Sequence, residues 1–121
     1  MKKIIKIDGK EYTIKSSAFT QFKYKDTTGR DLLDDLTSIE TKLNGKSEKE
    51  MTAELGDMLD IIFKVIYVLI DEAGVDNVGS YEDFLKSIDN VLEDTTYINE
   101  SLEVALAPLS RGTKTTSPDK Q

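Results

Sequence analysis

The chain has 121 residues, enough for one domain with one core and too few for a separate catalytic domain. Sixteen Lys and Arg against twenty-three Asp and Glu give a formal net charge of −7, with guanidinium groups only at Arg30 and Arg111. That balance argues against a general nucleic-acid binder, whose phosphate affinity comes from clustered cations. With no Cys and no His, the sequence excludes disulfides, thiolate nucleophiles, His-based relays and ordinary zinc sites, so any catalysis would run on carboxylates, Lys, Tyr or Ser.

At the N-terminus, Ile4 to Ile7 is interrupted by Lys6 and followed by Asp8-Gly9, which leaves no signal-peptide hydrophobic region and predicts a chain that stays in the cytosol. The same segment alternates with period two. Ile5 and Ile7, then Tyr12 and Ile14, flank Asp8-Gly9, a strong type I′ hairpin signal. With Asp8-Gly9 as a two-residue loop, Ile7 pairs with Lys10 and Ile5 with Tyr12. That register puts Ile5, Ile7, Tyr12 and Ile14 on one face and Lys6, Glu11 and Thr13 on the other.

Ser16 and Ser17 are candidate caps for a short helix carrying Ala18, Phe19, Phe22 and Tyr24, which ends near Gly29. A second helix, from about Arg30 to Leu43, repeats Leu32, Leu33, Leu36, Ile39 and Leu43 at spacings of three and four. Ser47 with Glu50 forms a capping box that opens the longest helix, about Glu48 to Ala73, stopped by Gly74. Its apolar stretch from Ile61 to Ile70 contains Lys64 and is about half the roughly 20 residues of a membrane span. Because those residues surround the helix, they suit either a central core helix wrapped by the others or a surface that meets another subunit or a partner helix. Ser80 with Asp83 forms a second capping box, opening a helix expected to carry Phe84, Leu85, Ile88, Val91 and Leu92. A last helix, about Thr96 to Ala107, presents Ile98, Leu102, Ala105 and Leu106 and is limited by Pro108. Residues 110–121 contain no apolar residue and are expected to form a disordered tail after a single domain over 1–109. The fold class is therefore α+β and mainly α: an N-terminal β-hairpin, then a compact bundle of four to five helices.

Two acidic clusters invite a metal reading. Glu50, Glu54, Asp57 and Asp60 share one side of the long helix, and Glu54-Leu55-Gly56-Asp57 resembles half of the metal motif of the all-α nucleotide pyrophosphohydrolases. The preceding helix offers Asp31, Asp34, Asp35 and Glu40, whose spacing does not match the second half of that motif. A solvated acidic face near a helix N-terminus accounts for the cluster more simply. Asp71 to Asn77 is acidic, but Ala73 and Val75 occupy ligand positions of a calcium loop, which leaves a helix–helix turn. The scattered glycines form no phosphate cradle, and the residues point to no catalytic group and no cofactor.

Taken together, Ile5-Lys6-Ile7-Asp8-Gly9-Lys10-Glu11-Tyr12, Phe22-Lys23-Tyr24-Lys25, Gly29-Arg30-Asp31-Leu32-Leu33-Asp34-Asp35-Leu36 and Tyr81-Glu82-Asp83-Phe84-Leu85 resemble the tail assembly chaperones of long-tailed phages and prophages of Gram-positive hosts. The likeness spans about residues 4–109. It implies a non-enzymatic protein of the host cytoplasm, absent from the mature virion, that binds the tape measure protein and keeps it soluble while tail tube subunits assemble. It also implies that a frameshift-extended product can recruit the tube protein. A chaperone for a helical client needs an apolar surface and a soluble net charge. The expected contacts are Phe63, Ile66, Tyr67 and Ile70 on the long helix and Ile5, Ile7 and Tyr12 on the hairpin, with self-association of the chain along an extended client. A carboxylate-metal nucleotide hydrolase and a small acidic adaptor of a mobile element are the competing expectations.

Overall fold

The computed structural model describes residues 1–43 and 48–109, with Leu43 and residues 48–57 described by their backbone alone. The Ser47 cap, the side chains of Glu50, Glu54 and Asp57, and the expected tail lie outside the described residues. The architecture is α+β and mainly α, a two-stranded antiparallel hairpin followed by five helices among the described residues.

Strands β1 (Lys2–Ile7) and β2 (Lys10–Lys15) pair in the register expected from the sequence, with Ile7 opposite Lys10 and Ile5 opposite Tyr12. Asp8 and Gly9 both take positive φ, 52° and 80°, as a type I′ loop requires. Ile5, Ile7, Tyr12 and Ile14 are all buried on one face. A lone hairpin is marginal in water, and this one is held because β2 lies on α3 (Glu48–Ala73) and β1 on α5 (Thr96–Leu106).

Helix α1 (Thr20–Thr28) ends at Gly29, whose φ of 75° lets its N–H reach the Lys25 carbonyl at 2.8 Å. Ser17 anchors its start: the Ser17 hydroxyl accepts from the Phe19 N–H and donates to Glu72 of α3, to which Thr20 also donates. Helix α2 (Leu32–Leu43) starts two residues later than the sequence suggests. Asp31 stands outside it and accepts the Asp34 N–H at 2.9 Å, the geometry of a side-chain cap, while Arg30 turns back to pair with Asp35.

Helix α3 contacts β2, α1, α2, α5 and the short helix α4 (Tyr81–Lys86), so its apolar residues from Ile62 to Ile70 are buried except Tyr67, and Ile61 is half-buried. Helix α4 keeps its capping box at Ser80 and Asp83 but spans only Tyr81–Lys86. The expected continuation through Ile88 and Leu92 is irregular chain, because side chains take its backbone groups. Asn90 Oδ1 accepts from the N–H groups of Leu92 and Glu93, and Asp8 accepts from the Asp89 N–H. Helix α5 passes into a 3-10 turn, Ala107–Leu109, as Pro108 dictates. Among the described residues, no helix is long and apolar enough to cross a membrane.

Candidate functional site

The residues expected to meet a client are mostly core. Phe63, Ile66 and Ile70 of α3 are buried, as are Ile5, Ile7 and Tyr12 of the hairpin. The reason is mutual coverage: the apolar face of the hairpin closes over the helix that the sequence left uncovered. Tyr12 meets Phe84 edge-on at 5.8 Å, and Phe63 lies between Phe84 at 6.0 Å and Tyr97 at 5.9 Å. Burial alone pushes the Tyr97 hydroxyl up to about 12. Tyr67 alone of the seven reaches the surface. It donates to the Gly79 carbonyl at 2.8 Å, packs on Tyr81, and lines a small cavity of about 170 Å³ with Thr27, Thr28 and Lys64.

An apolar concavity of about 440 Å³ lies between α2 and α5, with Leu36, Ile39, Leu102 and Leu106 as its walls and floor and Glu40, Asn99 and Glu103 along its rim. Leu36 and Ile39 come from the apolar stripe of α2, and Leu102 and Leu106 from one turn of α5. Leu36 and Ile39 are buried at its base, while Leu102 and Leu106 are half-buried. Glu103 also reaches Lys3 of β1 at 3.4 Å, and Glu100 does so at 3.4 Å. Desolvation pulls the Lys3 pKa down, but its hydrogen bonds to these two carboxylates more than reverse the effect and hold it above the ordinary lysine value. This geometry can take the apolar ridge of an amphipathic helix, with cations at its margins meeting Glu40 and Glu103. Sequence periodicity marks all four apolar residues as helix stripe, but it carries no signal that two stripes leave a groove. A second exposed apolar feature, Phe19 at the N-cap of α1 and Phe22 within it, is legible in the sequence only as helix pattern; Phe22 is 64% exposed.

The acidic clusters are engaged structurally wherever they are described. Asp60 accepts from Lys64 and from the Tyr81 hydroxyl, both at 2.9 Å, and the Lys64 bond leads in holding its carboxyl below the usual range. In the 71–77 turn, Asp71 pairs with Lys23, Glu72 takes Ser17 and Thr20, and Asp76 takes the Thr13 N–H at 2.7 Å. Among the described residues, no group of three or more acidic side chains is arranged to hold a metal ion. No family model, no curated protein and no solved structure matches the chain.

Proposed function

We propose that this chain is a non-enzymatic tail assembly chaperone of a long-tailed phage or prophage, and that the groove between α2 and α5 receives an amphipathic helix of the tape measure protein. The observation that carries the reading is that groove: an apolar floor of about 440 Å³ rimmed by Glu40 and Glu103. A long helical client exposes repeated apolar ridges that aggregate unless covered, and an apolar groove covers such a ridge. The net charge of −7 keeps a loaded complex soluble. Residence in the host cytoplasm, absence from the finished virion, self-association along the client and recruitment of the tail tube protein through an extended product belong to the same proposal.

The test is co-expression of the tape measure protein from the same genome with the wild-type chain, with Leu102→Glu, with Glu40→Lys, and with no partner. The wild-type chain raises soluble tape measure and co-elutes with it, while both variants fold yet lose most of that yield. A tape measure protein that is soluble alone, or that leaves this chain behind on purification, removes the reading.

A further inference from the structure

The hairpin has two edges, and a side chain engages only one of them, at a single point. Ser16 and Met1 exchange backbone hydrogen bonds at 2.8 and 2.9 Å, which fixes the alternation. The pairs 1–16, 3–14, 5–12 and 7–10 bond to each other, and the backbone groups of Lys2, Ile4 and Lys6 on β1 and of Glu11, Thr13 and Lys15 on β2 point outward. On the β2 side, Asp76 occupies the middle of the edge by accepting the Thr13 N–H. On the β1 side, the outward groups of Lys2, Ile4 and Lys6 meet no partner among the described residues.

The side chains along that open edge are two lysines with an isoleucine between them. Ile4 is 61% exposed at its centre. Lys2 stands directly opposite Lys15, a like-charge cross-strand pair that is destabilising unless an anion is near, and neither ammonium forms an ion pair among the described residues. Lysine by itself guards an edge against pairing, but a guarded edge does not place an exposed isoleucine between its lysines. At the other end, Lys6 borders a cleft of about 400 Å³ whose far wall is Asn90, Glu93 and Asp94, so the excess positive charge lies at Lys2 and Lys15.

We infer that the β1 edge accepts an extended segment of an acidic protein partner as a third, antiparallel strand. Its residue opposite Lys6 is neutral, the one opposite Ile4 is apolar, and the one opposite Lys2 is Asp or Glu. Main-chain bonds to residues 2, 4 and 6 supply affinity, the apolar side chain covers Ile4, and the carboxylate relieves the Lys2–Lys15 pair. A second copy of this chain fits less well, because antiparallel β1 against β1 centred on Ile4 sets Lys2 against Lys6 twice. The inference does not rest on the groove between α2 and α5, and its failure leaves that reading as it stands.

The probe is a capped six-residue peptide that alternates threonine with serine, valine and glutamate in that order, titrated into the full chain and followed by amide NMR and hydrogen exchange. Saturable shifts and slowed exchange at the Ile4 and Lys6 N–H groups are expected, with affinity falling as salt rises. Ile4→Pro removes one outward N–H that the hairpin does not use and should weaken binding about tenfold. Lys2→Glu should reverse the preference toward a peptide with lysine in place of the glutamate, and it keeps the test valid if the proline variant misfolds. No protection at Ile4 and Lys6, or equal binding of the glutamate and lysine peptides, overturns the inference. So does protection that grows with protein concentration alone, which would assign the edge to a second copy.

Discussion

Asp35 joins α1 to α2 through three hydrogen bonds. It is 5% exposed, and its carboxylate accepts from the Tyr24 hydroxyl at 2.6 Å and from Arg30 Nε and Nη2 at 2.8 and 2.9 Å, locking α1 to α2. Burial pushes its pKa up, but the bonds from Arg30 and Tyr24 outweigh burial and hold it below the ordinary 3.8. The Tyr24 hydroxyl, buried and donating to a carboxylate, is pushed far above its usual range. Because the folded value is the lower one, the stabilisation is fully present above the unfolded value and is lost as pH falls through the folded value. Asp35→Asn is therefore expected to cost about 2 kcal/mol at neutral pH, a figure kept low because Arg30 is 44% exposed and stays solvated when released. Urea denaturation from pH 7 down to pH 2 should show the gap to wild type closing at the acid end. A gap independent of pH would mean that the charge of Asp35 is not what Arg30 and Tyr24 require. In the sequence Asp35 is one of several acids of α2, because nothing local tells which acid of a helix turns inward to meet a tyrosine eleven residues earlier.

Elements whose signals are local are legible in the sequence. The Asp8-Gly9 loop sets strand register through backbone conformation alone, and Gly9, at φ 80°, occupies the left-handed region that side chains with a Cβ resist. Gly9→Ala should cost about 1 kcal/mol, read as a lower melting temperature with the pairing of Ile5 and Tyr12 retained in cross-strand NOEs; a register shift would show that the strands, not the loop, set the pairing. Ser80 is equally local: its hydroxyl accepts the Asp83 N–H and Asp83 accepts the Ser80 N–H in return. Ser80→Ala should cost about 1 kcal/mol and raise exchange at the Asp83 amide, whereas unchanged exchange would show that packing of Phe84 holds α4 without its cap. The end of α4 was not readable in the same way. Ile88 and Val91 keep helical spacing because both pack against the core, yet they do so from irregular chain. Apolar spacing reports which side chains must turn inward. It does not report the backbone that delivers them when Asn90 competes for the amides.

At the scale of the whole molecule, the hairpin and helices share one core, and this is why the residues chosen from sequence as binding contacts ended inside it. An amphipathic hairpin with no sheet to join and a helix apolar on all sides are each unfinished surfaces. In a chain of this size each completes the other, which a sequence read one element at a time cannot show. The groove between α2 and α5 is the complementary case, where two ordinary stripes meet incompletely and only their relative placement reveals it. The two kinds of position should separate in one experiment. Phe63→Ala removes a ring packed between Phe84 and Tyr97 and is expected to cost about 3–5 kcal/mol. The melting temperature should fall by more than roughly 10 °C, with hairpin and helix signals lost in a single transition because Tyr12 of β2 stands on the same Phe84 ring. Leu102→Glu, on the half-buried wall of the groove, should shift the same transition by only a few degrees and instead reduce tape measure solubility. Separate melting of hairpin and helices would show that they do not share a core. A Phe63→Ala protein that melts like wild type but fails to hold its client would return the binding surface to α3.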